Sequence, residues 1–315
     1  MASPRLISIV IPTMNEEENL PLFYEALKAT TDGTKNVRWE FIFVDDGSTD
    51  QTASRILDLR KADPRVRLIQ LSRNFGGYAA IRAGFENSRG NAVVSISADM
   101  QDPPEIIREF ISYWKEGYHI VWGVRETRDD PWSKRFLARM FYRVIRKLAL
   151  PDLPQDGMDC GLFDRKVIDE FLAIRDKNNI AFMTIHWMGL RQAHVQYHRR
   201  ARRFGVTKWP LRKRIESAVD VITSFSFFPI RLASYIGFAL SAVSIVGGFA
   251  IIYNRIFLGI GALGWPSIMV ALLFLSGWQF IMLGIIGEYL WRIGSEVRGR
   301  PHFIVMNRVG FGEEE

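Results

Sequence analysis

Two stretches near the C-terminus carry no charged residue: 22 residues from Leu232 to Tyr253 and 23 from Trp265 to Gly287. A run of about 20 apolar residues is the length of a membrane-spanning helix. Both runs are rich in Gly, Ala and Ser, which let such helices approach closely. The expectation is a two-helix transmembrane hairpin over residues 230–293, and Gly247-Gly248 with their small neighbours permit self-association into a homo-oligomer.

Charge supplies an orientation. The chain holds 41 Lys+Arg against 34 Asp+Glu, a net +7 over 315 residues. Arg199, Arg200, Arg202, Arg203, Lys208, Arg212, Lys213 and Arg214 precede the first apolar run, and Arg292, Arg298, Arg300 and Arg308 follow the second. The loop between them has only Arg255. The positive-inside rule then predicts a multi-pass protein of the cell membrane with both termini cytoplasmic. The basic excess suits anionic headgroups, so nucleic acid is not needed as a partner. Ile215, Val219, Ile222, Phe225 and Phe228 fall at helical spacing, which predicts an amphipathic interface helix over 211–229. Residues 294–315 read as a cytoplasmic tail. The one cysteine, Cys160, excludes an intramolecular disulfide and a multi-cysteine zinc site.

Residues 1 to about 165 alternate between strand and helix patterns, within a first domain expected over residues 1–210. Leu6–Ile11 ends at Pro12, with Asn15-Glu16-Glu17-Glu18 behind it, and it is too short for a signal peptide's apolar core. It suits a buried strand, as do Trp39–Val44, Arg67–Leu71, Ala92–Ser97 and His119–Gly123. Helices are expected at Glu17–Thr30, Thr49–Ala62, Tyr78–Ser88, Pro104–Lys115 and Trp132–Leu148. Near-continuous apolar strands belong in a parallel sheet covered on both faces. The fold class is therefore α/β, doubly wound and mostly parallel. Ligands of such sheets bind at the carboxyl ends of the strands.

No G-x-G-x-x-G follows the first strand and no G-x-x-x-x-G-K-[ST] occurs, which removes the main support for a dinucleotide or P-loop site. The strand ends carry Pro12-Thr13-Met14-Asn15-Glu16, Asp45-Asp46-Gly47-Ser48, Ser72-Arg73-Asn74-Phe75-Gly76 and Ala98-Asp99-Met100-Gln101-Asp102. Carboxylates on such a rim can hydrogen-bond a base or ribose, or hold a hard cation against a diphosphate. In this order, followed by two apolar helices, the motifs resemble family 2 glycosyltransferases with a GT-A-like nucleotide-sugar domain. The likeness is to the membrane-bound polyisoprenyl-phosphate type, which includes dolichol-phosphate mannose synthase and the bactoprenol glucosyltransferases.

The resemblance implies an inverting hexosyltransferase. It would move a sugar, by first expectation glucose from a UDP-linked donor, to a polyisoprenyl phosphate such as undecaprenyl phosphate. Pro12, Thr13, Glu16, Asp45, Asp46 and Arg73 would hold the nucleotide sugar. Asp99 would ligate Mg2+ or Mn2+, with Gln101 as a neutral oxygen ligand. The family often has an aspartate two residues before Asp99, where this chain has Ser97. In the segment from Asp156 to Lys166 the family places an aspartate near the acceptor. Asp159 is preferred here as base or orienting group, with Asp156 the alternate. Those carboxylates could instead simply cap a helix starting at Asp164, and Asp102 could cap the helix at Pro103-Pro104. Arg125, Arg128, Arg203 and Lys208 are the candidates for phosphate, which a guanidinium grips through two donors.

Two rival classes are weighed. A processive polysaccharide synthase would need a translocation channel, and the chain lacks a Gln-x-x-Arg-Trp signature. A non-catalytic, membrane-anchored nucleotide-sugar-binding protein is suggested only by Ser97.

Overall fold

The computed structural model describes residues 4–125, 140, 143, 145–147, 150, 152–154, 157–174, 176, 180–200, 220–224, 226–258 and 264–312. The expected helix Trp132–Leu148 falls largely outside these, as do Asp156, Arg128, Arg203, Lys208 and most of the expected interface helix. The chain divides into two compact units, Met1–Ala218 with Pro301–Glu315, and Val219–Arg300.

In the first unit, five strands come where the apolar runs predict them: β1 (Arg5–Thr13), β2 (Val37–Asp45), β3 (Val66–Leu71), β4 (Ala92–Ser95) and β5 (Ile120–Arg125). Between them lie α1 (Leu20–Asp32), α2 (Thr52–Ala62), α3 (Gly77–Glu86) and α4 (Ile107–Lys115). A 3-10 turn, Pro104–Ile106, leads into α4. α1 starts three residues later than expected, with a proline in its first two positions, where the missing N–H costs nothing. Three further strands were not expected: β6 (Met158–Asp164), β7 (Gln192–Tyr197) and β8 (Val305–Val309). α5 (Arg165–Ala173) follows β6 and α6 (Ala181–Trp187) precedes β7.

The eight strands form one sheet in the order β7-β5-β6-β4-β1-β2-β3-β8. β6 pairs antiparallel with β4 and β5, and β8 antiparallel with β3, while the remaining pairings are parallel. Strand order reverses between β1 and β4, the switch point where α/β sheets open a crevice. Ile9, Ile11, Phe41, Phe43 and Val94 are fully buried among Phe23, Leu27 and Phe110 from the helices. The 156–166 segment, weighed above as a helix-initiating loop, is mostly the strand β6. Its last residue, Asp164, does cap α5, accepting from Lys166 N at 3.0 Å.

Residues 294–315 are not simply a tail. β8 closes the outer edge of β3, with Leu68 opposite Val309 and Leu71 opposite Val305. The Ser72 amide donates to Ile304 O at 2.9 Å. Beyond the strand, Phe311 lies 5.4 Å under the Arg67 guanidinium. Arg67 in turn bonds the buried Glu40 at 2.8 Å, and Glu40 also accepts from Ser8 and, at 2.7 Å, from Arg89 N.

The second unit contains α7 (Phe228–Phe257) and α8 (Trp265–Val297), 30 and 33 residues long. At 1.5 Å per residue these are about 45 and 50 Å. Among the described residues one helical stretch, Phe228–Ala250, is long and apolar enough to cross a membrane. α8 also exposes large apolar side chains, among them Leu272, Phe274, Phe280 and Leu283. Near its C-terminal end Arg292 bonds Asp220 at 2.5 Å and Glu288 at 3.1 Å, and Tyr289 Oη donates to Ser226 O at 3.1 Å.

Candidate active site

The carboxyl edge gathers the loops after β1, β2 and β3 through backbone and side-chain bonds. Asp46 N donates to Thr13 O at 2.9 Å. Glu16 N donates to Thr52 Oγ1 at 2.8 Å, and its carboxylate accepts from Asn19 Nδ2 at 2.6 Å. Asn15 crosses to the next loop, its N–H bonding Ser48 Oγ and its side-chain oxygen taking Thr49 N, both at 2.9 Å. The two aspartates of the second motif do different work. Asp46 accepts from Phe75 N at 2.7 Å and Gly76 N at 2.9 Å, so it holds the third loop in place. Asp45 uses Oδ1 to accept from Ser48 N at 3.0 Å. Its Oδ2 is buried without a hydrogen-bond partner among the described residues, an arrangement that costs about 1–3 kcal/mol unless a ligand donates. Gly47 separates this turn from the third loop. It has φ 73°, and a Cβ there would sit 2.5 Å from the Arg73 carbonyl carbon, so no other residue fits. Arg73 itself is exposed and lies over the Phe75 ring at 4.4 Å. Pro12, Thr13, Glu16, Asp45, Asp46 and Arg73 thus lie on neighbouring loops of one rim.

The loop after β4 is tighter. Asp99 is 5% exposed and its Oδ1 accepts from Gln101 N at 3.1 Å. Met100 between them has φ 61°, a left-handed conformation costing a non-glycine about 1–2 kcal/mol, and such residues cluster at functional sites. Asp102 is not the helix cap considered above, because the turn Pro104–Ile106 has Pro103 at its N-cap and no side-chain cap. Asp102 is 1% exposed and accepts from Tyr197 Oη at 2.5 Å. Burial pushes its carboxyl up, the Tyr197 bond opposes this, and the charge of Asp99 adds to it. Burial likewise raises the Tyr197 hydroxyl and the Cys160 thiol well above their ordinary values. Cys160 is fully buried in the core.

Gln101 is engaged differently from the ligand role expected of it. Its side-chain oxygen accepts from Arg199 Nη2 at 2.6 Å, and its carbonyl accepts from Arg200 N at 3.0 Å. Asp159, at the start of β6, is the expected base or orienting group, and Arg125, at the end of β5, is an expected contact for the donor diphosphate or the lipid phosphate. They form an ion pair with each other, with the Arg125 side chain 12% and the Asp159 side chain 29% exposed. Tyr197 and Arg199 were missed as site residues. The alternation in Gln192–Tyr197, with Ala193, Val195 and Tyr197 facing inward, is the strand signal that would have placed them.

Among the described residues no three His, Cys, Asp or Glu side chains stand together as a metal cluster. One hard carboxylate, Asp99, still fits Mg2+ or Mn2+, because such ions keep waters and substrate phosphate oxygens around one or two protein carboxylates.

A carboxylate rim at the switch point of a mostly parallel α/β sheet is the build of a GT-A-like nucleotide-sugar domain. The family model for glycosyl transferase family 2 matches residues 8–208, and the chain belongs to that family. It is 41% identical over 304 residues to the uncharacterized glycosyltransferase YkcC of Bacillus subtilis (strain 168), covering 96% of this chain and 94% of that one. To the bactoprenol glucosyl transferase of Shigella phage SfX it is 35% identical over 303 residues, covering 96% and 99%. Among solved structures, glucosyl-3-phosphoglycerate synthase from Mycobacterium tuberculosis, in complex with Mn2+, UDP-glucose and phosphoglyceric acid, has a TM-score of 0.49. Its identity is 18%, covering 70% of this chain and 79% of that one.

Proposed function

We propose that the protein is an inverting, metal-dependent hexosyltransferase that moves a sugar, glucose first among candidates, from a UDP-linked donor to a polyisoprenyl phosphate such as undecaprenyl phosphate. One observation carries this reading. The rim holding Asp45, Asp99 and the Arg125–Asp159 pair belongs to a sheet whose last strand, β8, lies beyond the apolar helices in sequence. A chain that leaves the sheet before α7 and rejoins it at Val305 crosses a bilayer an even number of times. The span in α7 thereby supports a second in α8. The basic residues at both flanks support a cytoplasmic sheet, at the face where a lipid phosphate is presented. The 35% identity to a bactoprenol glucosyl transferase over nearly the whole of both chains supports the same acceptor class.

In this reading the buried Asp45 oxygen and the loops around it receive the uridine and ribose, and Asp99 would hold the cation. A cation bound there would offset charge on the departing nucleoside diphosphate. The acceptor phosphate, whose second pKa is about 6, is already a nucleophile near neutral pH. Its oxygen attacks the anomeric carbon as the bond to UDP breaks. Arg125, with Arg128, Arg203 and Lys208, supplies charge for the acceptor phosphate, and Asp159 (Asp156 being the alternate) orients it.

The test is full-length protein in detergent or nanodiscs, given radiolabelled UDP-glucose, Mg2+ and undecaprenyl phosphate. Lipid-extractable monoglycosyl phosphate of inverted configuration is the expected product, and Asp99→Ala should lower its rate at least ~100-fold. Polymer would point to a processive synthase. No product across a panel of nucleotide sugars would point to a binding protein.

A further inference from the structure

We propose that Tyr197 and Arg199, at the end of β7, are positioning residues that hold Asp99 in its cation-binding geometry. This rests on the reading of Asp99 given above. Three consecutive bonds join the exit of β7 to the loop after β4: Tyr197 Oη to Asp102 at 2.5 Å, Arg199 Nη2 to Gln101 Oε1 at 2.6 Å, and Arg200 N to Gln101 O at 3.0 Å. They fall on the residues directly after Met100, whose left-handed backbone persists only if its surroundings hold it. Asp99 is on the other side of that strained residue, and its carboxylate accepts across it from Gln101 N. Releasing Gln101 and Asp102 would let Met100 relax and turn the Asp99 carboxylate away.

Two details separate this from ordinary packing. Tyr197 is the register partner of Arg125 in the β5–β7 pairing, so the same rung carries the acceptor-side ion pair and the anchor of the donor-side loop. Arg199 spends a charged, bidentate-capable side chain on a neutral amide, and its Nε is buried without a hydrogen-bond partner among the described residues. That suits a group holding a loop better than one built only to meet lipid headgroups.

The experiment measures UDP affinity of the full-length protein by titration calorimetry with and without Mn2+, alongside thermal melting. Tyr197→Phe and Arg199→Gln should each weaken Mn2+-supported UDP binding about tenfold. Metal-free UDP affinity, which reports the β1–β3 loops, should stay within twofold, and Arg199→Lys should recover most of the loss. Should Tyr197→Phe unfold, Arg199→Gln carries the test alone. A Mn2+ enhancement unchanged in these variants but abolished in Asp99→Ala would overturn the proposal. An enhancement unchanged in Asp99→Ala as well would overturn the assignment of Asp99 on which it rests.

Discussion

On the β1–β3 side of the sheet Asp45 and Asp46 are tied to backbone amides, whereas on the β4–β7 side Asp102 and Asp159 are tied to a side-chain hydroxyl and a side-chain cation. Asp45 caps Ser48, Asp46 caps Phe75 and Gly76, and Asn15 bridges to Ser48 and Thr49. Across the switch point Asp159 pairs with Arg125, Asp102 with Tyr197, and Gln101 with Arg199. A carboxylate bound to backbone fixes a loop whether or not a ligand is present. One bound to a guanidinium can trade partners when a phosphate arrives, since phosphate is an equally good bidentate acceptor. The first half is therefore preformed, whereas in the second the Arg125–Asp159 pair is the one that, in the proposed reading, a charged substrate would rearrange.

The sharpest way to break this contrast is Asp159→Asn. We expect kcat to fall about 100-fold, within the range of an acid–base or orienting carboxylate, with a melting temperature close to the parent's. A large loss of stability with little change in kcat would make the second half a scaffold like the first.

Asp46→Ala should do the reverse. Orphaning the Phe75 and Gly76 amides costs about 2 kcal/mol, or a fall of ~4–8 °C in melting temperature. The donor KM should rise about tenfold as the third loop loosens, while the acceptor KM stays put. An acceptor KM that moved as much would show the halves to be coupled.

The smallest effect sharpens the comparison from a distance. Asp63 lies after α2, on the preformed side but away from the rim. Burial pushes its carboxyl up, yet hydrogen bonds from Arg65 and Tyr24 outweigh this and hold it at about 2, against about 3.9 unfolded. A depressed carboxylate stabilises above its unfolded value and loses that contribution as pH falls through its folded one. Asp63→Asn should therefore cost roughly 1–2 kcal/mol at pH 7 and almost nothing near pH 2. Chemical denaturation across that range checks it, with donor KM unaffected at pH 7.

How much of this could be read from sequence follows the same divide. β1 to β5 are near-continuous apolar runs, and their polar ends follow from the sheet. β6 escaped because Met158-Asp159-Cys160-Gly161 reads as a loop, and β8 because Val305–Val309 is short and polar at its centre. Both are antiparallel additions made possible by neighbours far off in the chain. The donor motifs were visible as clusters within a few residues of each other. The Gln101–Arg199 and Asp102–Tyr197 bonds join residues 98 and 95 positions apart, and no local pattern encodes which partner a side chain will meet.

β8 has a consequence for how the molecule is made. It pairs residues about 240 positions apart, and it is translated after the two apolar helices. Throughout synthesis of the apolar helices the outer edge of β3 stays open, a row of unpaired amides of the kind that invites a neighbouring chain. Every molecule thus waits for residues 305–309 before the edge can close. A transcript cut short between α7 and Val305 would yield a sheet complete but for β8, with a sticky side.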